Sequence, residues 1–371
     1  LDPHSVLLPP ELYTEMHMQT RGEFGGLGIE IGIRDQQLTI IRPMPNTPAA
    51  AAKLRRMDRI VKIGEESTLN MTLQEAVNRL RGAPGTRVSV HITRGGRGGW
   101  TEPRPVQLTR ALIAIASVET RLLGNGVGYV KIKNFQGNTS DDLQRALADL
   151  RRQNARALVV DLRGNPGGLL EQAVRVCDAF LTSGNIVTTA GNDPDDREEK
   201  VAHDDENEPT WPIAVLVDGL SASASEIVAG ALKNHGRALI IGEPTFGKGS
   251  VQVLFDDFED GSALKLTIAQ YLTPGDVSIQ SVGIIPDVQL EPMTADRDEM
   301  DLYPSEDFTR ERNLSAHLTH QNAREGQRAL ERLRYYLSAE ERLRRRDEMA
   351  GDEPEEETFR PDFPILFARD A

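Results

Sequence analysis

Four short apolar runs recur between residues 126 and 242: GVGYVKI, ALVVDL, IAVLVDG and ALIIG. Each gap between them holds a stretch with helical spacing. NTSDDLQRALADLRRQ opens with Asn, Thr and Ser, residues suited to capping a helix start, and LLEQAVRVCDAFL and SASEIVAGALKN follow the next two runs. Strands that alternate with helices argue for a largely parallel sheet covered by helices. Two further strands, SVQVLF and SALKLTIAQYL, come after the last run, so the fold class read here is α/β, with helices packed on a mixed sheet.

The flanks read differently. Residues 1–20 hold a Pro pair and a short helical pattern. Residues 21–108 form a β-rich unit, from FGGLGIEIGI and QLTIIRP through the helix LQEAVNRLRG to the strand RVSVHITR. Gly-rich GGRGGW and Pro-punctuated TEPRPV mark its exit. Residues 109–290 are the α/β core, and 291–371 are a charged extension in which 324–346 reads as one helix. The acidic stretch from Asp193 reads as a solvated loop.

Charge and composition exclude several classes. The net charge is −14 but unevenly spread, and residues 21–108 run basic, with 14 Lys and Arg against 8 Asp and Glu. An acidic chain without a large basic stripe is a poor partner for nucleic acid. No run approaches the roughly 20 apolar residues of a membrane span. The one cysteine, Cys177, rules out an internal disulfide and a multi-thiolate metal site. Spaced with Leu170, Ala173, Val174 and Leu181, it falls on the buried stripe of a helix. A start at Leu1, with no charged-then-apolar leader, predicts a processed or truncated product that has lost its targeting segment.

The segment GEPTFGKGS, residues 242–250, is one residue away from the phosphate loop GxxxxGK[ST]. Three features count against nucleotide binding. Gly249 stands where the Mg²⁺-binding hydroxyl belongs. The continuation SVQVLF alternates like a strand, whereas a phosphate loop opens a helix. Pro244 removes one backbone donor from the cradle. A tight turn with a solvated lysine is the plain alternative.

Upstream, an apolar strand ends at LVDG and the run SASAS opens a helix. A serine at that junction sits near helix N-terminal amides, which favour developing negative charge. The run also reads as an N-cap followed by small residues packed on the sheet. A nucleophilic serine needs a base. Of the seven histidines, His235 lies 12 residues beyond Ser223 on the same helix, about 18 Å along its axis. His17, His91, His203, His317 and His320 fall outside the core, and nothing recommends His4. Lysine is the other choice, because burial can lower its pKa by several units from about 10.4. Lys248, between glycines and apolar strands, suits that role.

At this point the motifs resemble a family. SASASEIVAGAL followed by GEPTFGKGSVQ is similar to the carboxy-terminal processing (tail-specific) serine proteases, as are DLRGNPGGLLEQAV and DGSALKLTIAQYLTPGDVSIQSVGIIPDV. The likeness covers about residues 1–290. It implies a protease core with a Ser-Lys dyad of Ser223 and Lys248, with Gln252 holding the lysine and Ser221 and Ser225 as structural neighbours. It implies an oxyanion hole from Ala224 and one of Gly167 or Gly168, where glycine permits close approach to substrate. It also implies that residues 21–108 are an inserted PDZ domain. Its Gly26-Leu27-Gly28-Ile29 loop would receive a peptide carboxylate, and the following strand edge would pair with the peptide. The reaction so read uses no metal, nucleotide or other cofactor.

The partners implied are C-terminal segments of protein substrates. A homo-oligomer and self-binding of the apolar segment FPILFARDA in a PDZ groove are further expectations, the alternative for that segment being a strand or anchor packed on the core. The family's bacterial members imply a periplasmic or cell-envelope location. Two departures stand out. The family's AGLRPGD-like turn is replaced by Ala52-Lys53-Leu54-Arg55-Arg56-Met57-Asp58, and Asp218 stands where an asparagine is common, a carboxylate expected to raise the lysine pKa. The altered turn keeps a second reading in view, a catalytically silent PDZ scaffold.

Overall fold

The computed structural model describes residues 1–96, 99–193, 195–205, 209–295, 302–304, 308–319, 328–349 and 359–371. The chain divides into two compact units, Leu1–Arg21 with Ala116–Ala371, and Gly22–Ile115.

The larger unit is built on the apolar runs. Val127–Ile132, Ala157–Asp161, Ile213–Val217 and Leu239–Gly242 lie side by side as parallel strands, and Val288–Ala295 extends them in parallel. Val118–Leu122 joins antiparallel at the other edge, so the sheet is mixed. The helix Thr139–Arg152 buries Leu143, Ala146, Leu147 and Leu150. Its first turn carries Asp141 and Asp142 and its last turn Arg151 and Arg152, which complements the helix dipole. Leu170–Asp178 buries Ala173, Val176 and Cys177, so the cysteine is a core residue whose thiol burial pushes up and keeps protonated.

The helix Ala224–Asn234 is different. Every residue from Ala224 to Leu232 is buried, as expected of a helix covered on all sides. It packs against Leu239–Gly242 of the first sheet and against Asn185–Ala190 and Ala263–Thr273 of a second, antiparallel sheet. Val6–Leu8 and Ser250–Phe255 both pair with Ala263–Thr273. The start of the chain therefore reaches the strand that follows Lys248.

Three expectations are corrected. Part of the acidic stretch, Arg197–Val201, is a strand paired antiparallel with Asn185–Ala190, because a hairpin partner satisfies its backbone while its charges stay outside. The helix expected over 324–346 begins only at Ala339, capped by Ser338 and Glu341, and residues 324–327 lie outside the described residues. Before it, Glu331–Tyr336 is a strand parallel to Val288–Met293, with Leu333 and Tyr335 turned inward at a period of two. The segment FPILFARDA is neither a strand nor an extended ligand. Phe363–Asp370 is a helix capped by Asp362, with Pro364, Ile365 and Ala368 buried against the sheet. Arg163 fixes its start, bonding Asp362 at 2.7 Å and the buried Asp161 at 2.7 Å. The anchor form holds, and an added strand in a PDZ groove is not the form taken here.

The smaller unit has a five-strand path, Ile29–Arg34, Gln37–Pro43, Arg59–Ile63, Arg87–Arg94 and Trp100–Thr109, around its own core of Leu38, Ile40, Ile60, Val90 and Ile92. It extends to Ile115 because Glu23–Gly26 pairs with Ala111–Ala114. Leu73–Leu80 starts with a Thr72–Glu75 capping box. The departing turn closes by placing Lys53 and Met57 at positive φ, 59° and 66°. Asp58, fully buried, accepts Arg55 N–H at 2.8 Å and two bonds from Arg94, each 2.6 Å. A bidentate ion pair thus braces the turn.

Candidate active site

After the strand Ile213–Val217 the chain turns on Asp218. Its Oδ1 accepts N–H groups from Gly164 at 3.0 Å, Leu220 at 3.0 Å and Ser221 at 3.1 Å. The carboxylate is consumed in shaping the turn. The carboxylates that act most on Lys248 are instead Glu226, Glu311 and Asp2, which corrects the expectation for Asp218.

The three serines separate cleanly. Ser221 donates its hydroxyl to Leu162 O at 2.9 Å and Ser225 to Asn165 O at 2.9 Å, and both are fully buried. Ser223 keeps some exposure, 9%, and provides no side-chain cap to the helix it precedes. Its φ of 54° and ψ of −112° are unusual for a non-glycine residue, a strain of about 1–3 kcal/mol that its surroundings must hold.

Gly167 lies against this serine. A methyl group at Gly167 would sit 2.9 Å from Ser223 Cβ and 3.0 Å from Ala224 N, so only glycine fits. Gly167 N–H is already donated to Asn165 Oδ1 at 2.9 Å. Gly168 turns beside Phe135, whose N–H and carbonyl bond Gly167 O and Leu169 N–H, leaving the Gly168 N–H outside that ladder.

Lys248 follows a loop stitched to the serine by one side chain. Glu226 is fully buried and accepts four bonds: Thr245 Oγ1 at 2.5 Å and Gly247 N–H at 2.7 Å on Oε1, Ser223 N–H at 2.8 Å and Lys248 N–H at 2.9 Å on Oε2. Burial pushes its carboxyl up, and these bonds oppose the rise. Sequence reasoning missed this residue, although the Ser-x-x-Glu spacing of a capping box was present.

Lys248 Nζ donates to Gln252 Oε1 at 2.6 Å and to Ser250 O at 3.4 Å. Gln252 Nε2 donates onward to Ser250 Oγ at 2.8 Å and Thr267 Oγ1 at 3.1 Å, and Thr267 to Asp2 Oδ1 at 2.9 Å. Burial lowers the lysine pKa from 10.5 to about 8, helped by Lys265 and opposed by Glu226, Glu311 and Asp2. The structure brings lysine and glutamine together; among the described residues no hydrogen bond joins Lys248 Nζ to Ser223. No described histidine bonds Ser223 either: His235 reaches Asn185 O at 2.7 Å, and His4 reaches Glu311 at 2.8 Å.

In the smaller unit Leu27 is buried, and Gly28 sits at φ +71° with its carbonyl accepting Met44 N–H at 2.8 Å. Leu27 O accepts Ala49 N–H at 3.0 Å, so both carbonyls are tied back into the unit. Among the described residues Ile29–Arg34 pairs with one strand, Gln37–Pro43, at the end of the sheet. A methyl at Gly28 would meet Thr47 Cβ at 2.3 Å, so Gly28→Ala is expected to cost this unit about 1–3 kcal/mol, read as a lower melting temperature. An unchanged melting temperature would show that the loop yields freely.

The family model for peptidase family S41 matches residues 126–290, and that for PDZ domains matches residues 15–93. A carboxy-terminal-processing protease of Bartonella bacilliformis is 43% identical over 295 residues, covering 78% of this chain and 67% of that protein. A carboxyl-terminal-processing protease of Synechocystis is 37% identical over 297 residues, covering 78% and 68%. A solved photosystem II D1 C-terminal processing protease is 33% identical, covers 78% of each chain and has a TM-score of 0.47.

Proposed function

The chain belongs to the carboxy-terminal processing proteases of peptidase family S41, serine-type peptidases carrying a PDZ domain, and from that membership we propose that Ser223 and Lys248 form its catalytic dyad. The observation that carries the reading is the partly buried Lys248, its pKa near 8, held by Gln252 and tied through Glu226 to the backbone of Ser223. Neutral Lys248 Nζ accepts the Ser223 proton as Oγ attacks the scissile carbonyl carbon. The ammonium so formed gives the proton to the departing amine, and water, deprotonated in turn, releases the acyl group.

The oxyanion requires two donors near Ser223. Ala224 N–H, at the start of the buried helix, is one. For the other, Gly168 N–H is favoured over Gly167 N–H, which Asn165 already holds. On this reading Gln252, which accepts Lys248 Nζ at 2.6 Å, holds the base until substrate brings the pair together.

The substrates proposed are C-terminal segments of proteins, taken up as an added strand at the edge of Ile29–Arg34, with the terminal carboxylate at the Gly26–Ile29 loop. A silent scaffold is not favoured, because serine, lysine and glutamine are all present. A periplasmic or cell-envelope location and a homo-oligomer are proposed on the same membership, to be checked by fractionation and by mass in solution. No helix among the described residues is long and apolar enough to cross a membrane.

The pH profile tests the base. A lysine whose folded pKa is depressed to about 8 is mostly ammonium below that pH and neutral above it. Turnover of a C-terminally extended peptide therefore rises about tenfold per pH unit below 8 and levels off above it. A profile flat between pH 6 and 9 would rule out Lys248 as the base.

A further inference from the structure

Residues 308–319 lie beyond the family-matched segment, yet they pack on the lysine loop. Arg310 Nε donates to Thr245 O at 3.0 Å, and Glu311 N–H donates to Phe246 O at 3.1 Å. Leu318 O accepts Ser281 Oγ at 3.0 Å. At the centre Glu311 has a side chain with 0% exposure. Its Oε2 lies 2.8 Å from His4 Nε2, the geometry of an imidazole N–H donating to a carboxylate, and its Oε1 accepts Gln280 Nε2 at 2.9 Å. Gln280 Oε1 in turn accepts Gly249 N–H, from the residue after Lys248, at 2.8 Å.

We propose that Glu311 is a positioning residue for Lys248, which fixes the lysine loop through Gln280 and stabilises through space the ammonium formed when Ser223 loses its proton. The proposal rests on the reading of Lys248 as the base. A buried carboxylate so placed is costly unless paired, and His4 and Gln280 supply the pairing. Burial works to raise the Glu311 carboxyl, but bonds from His4 and Gln280 and the charge of Lys248 oppose it, and the carboxyl is held below its ordinary range. The charges that act most on Lys248 are those of Lys265 from the long strand, Glu226 from the Ser223 helix, Glu311 itself and Asp2 from the first turn of the chain. Glu311 is the member contributed from outside the family-matched segment and the first turn. It parallels the aspartate that steadies the imidazolium of a catalytic triad: it never touches substrate, yet it favours the charge that appears during the reaction.

Two effects of opposite sign follow from its removal. Glu311→Gln, close in shape, lowers the lysine pKa, so the acidic limb of the kcat/KM–pH profile moves down by roughly half a unit to one unit. The same change weakens ammonium stabilisation, so the high-pH plateau falls roughly threefold to tenfold. A residue that merely held the loop would lower the plateau and leave the limb in place. His4 is 17% exposed, so His4→Arg can set a permanent cation against the same carboxylate and move the limb in the same direction by less. The measurement is kcat/KM of the full chain on a C-terminally extended peptide from pH 5.5 to 9.5, with thermal unfolding run beside it. A limb unmoved or raised in Glu311→Gln overturns the proposal, and if that variant does not fold, the same result in His4→Arg does. Full activity in Lys248→Ala is the separate result that would remove the dyad reading, and this proposal with it.

Discussion

Ser223→Ala and Lys248→Ala are each expected to lower turnover of a C-terminally extended peptide by on the order of 10⁴- to 10⁶-fold, with the double variant no worse than either. In the proposed dyad the two groups act on one proton, so removing either would leave the other without a task. The residual rate comes from substrate binding and the oxyanion donors, which neither substitution touches. Stability behaves differently. Ser223→Ala keeps the same strained backbone at φ 54°, and Lys248→Ala removes a partly buried cation. Both variants should melt within a few degrees of the parent, which separates lost chemistry from lost fold. Steady-state kinetics with thermal unfolding reads both quantities. More than about one per cent activity in either variant would be incompatible with the dyad.

Glu226→Gln is expected to produce the second-largest change, because a carboxylate accepts on both oxygens and an amide accepts on one. The four donors converging on Glu226 come from Ser223, Thr245, Gly247 and Lys248. With Gln, two of them face an NH₂ group inside a dry site. Leaving two buried donors unpaired costs about 2–6 kcal/mol. The loop relieves that cost by shifting, and the shift moves Lys248 relative to Ser223. A displacement near 1 Å can cost about a hundredfold in rate, so kcat should fall about that much while KM changes little. Glu226→Ala should be worse in stability and similar in rate. Parental melting temperature and kcat in Glu226→Gln would show that the loop is held by other means.

Local pattern explains what the sequence disclosed. The strands of the largely parallel sheet were legible because each run was short, apolar and bounded by turns, and Cys177 could be placed from helical spacing alone. A serine-bearing turn was visible as a run of small residues after a strand, and the lysine loop through the ways it failed as a phosphate cradle, but the pairing of Ser223 with Lys248 came from the family likeness and stands as a proposal. Glu331–Tyr336 was missed because its charged residues mimic a helix surface, while the decisive fact is a partner strand some forty residues earlier. Asp218 was misjudged for a related reason: nearness along the chain did not reveal that three backbone amides had already claimed its carboxylate. Glu311 and His4 are 307 residues apart, and no periodicity links two such positions. Contacts made by folding, rather than by spacing, are where residue patterns fall silent.

The nine consecutive buried residues from Ala224 to Leu232 bear on how the protein breathes. Their amides should exchange with solvent only when the whole larger unit opens, which puts the serine end of the site among the slowest-exchanging parts of the molecule. Ser250–Phe255 pairs on one side alone, and its last three residues face solvent, so its amides should exchange through local fraying. The two halves of the site thus report on separate clocks. A peptide that brings Lys248 to Ser223 should slow the strand's exchange and leave the helix unchanged, so deuterium uptake would follow the assembly of the site from the lysine side.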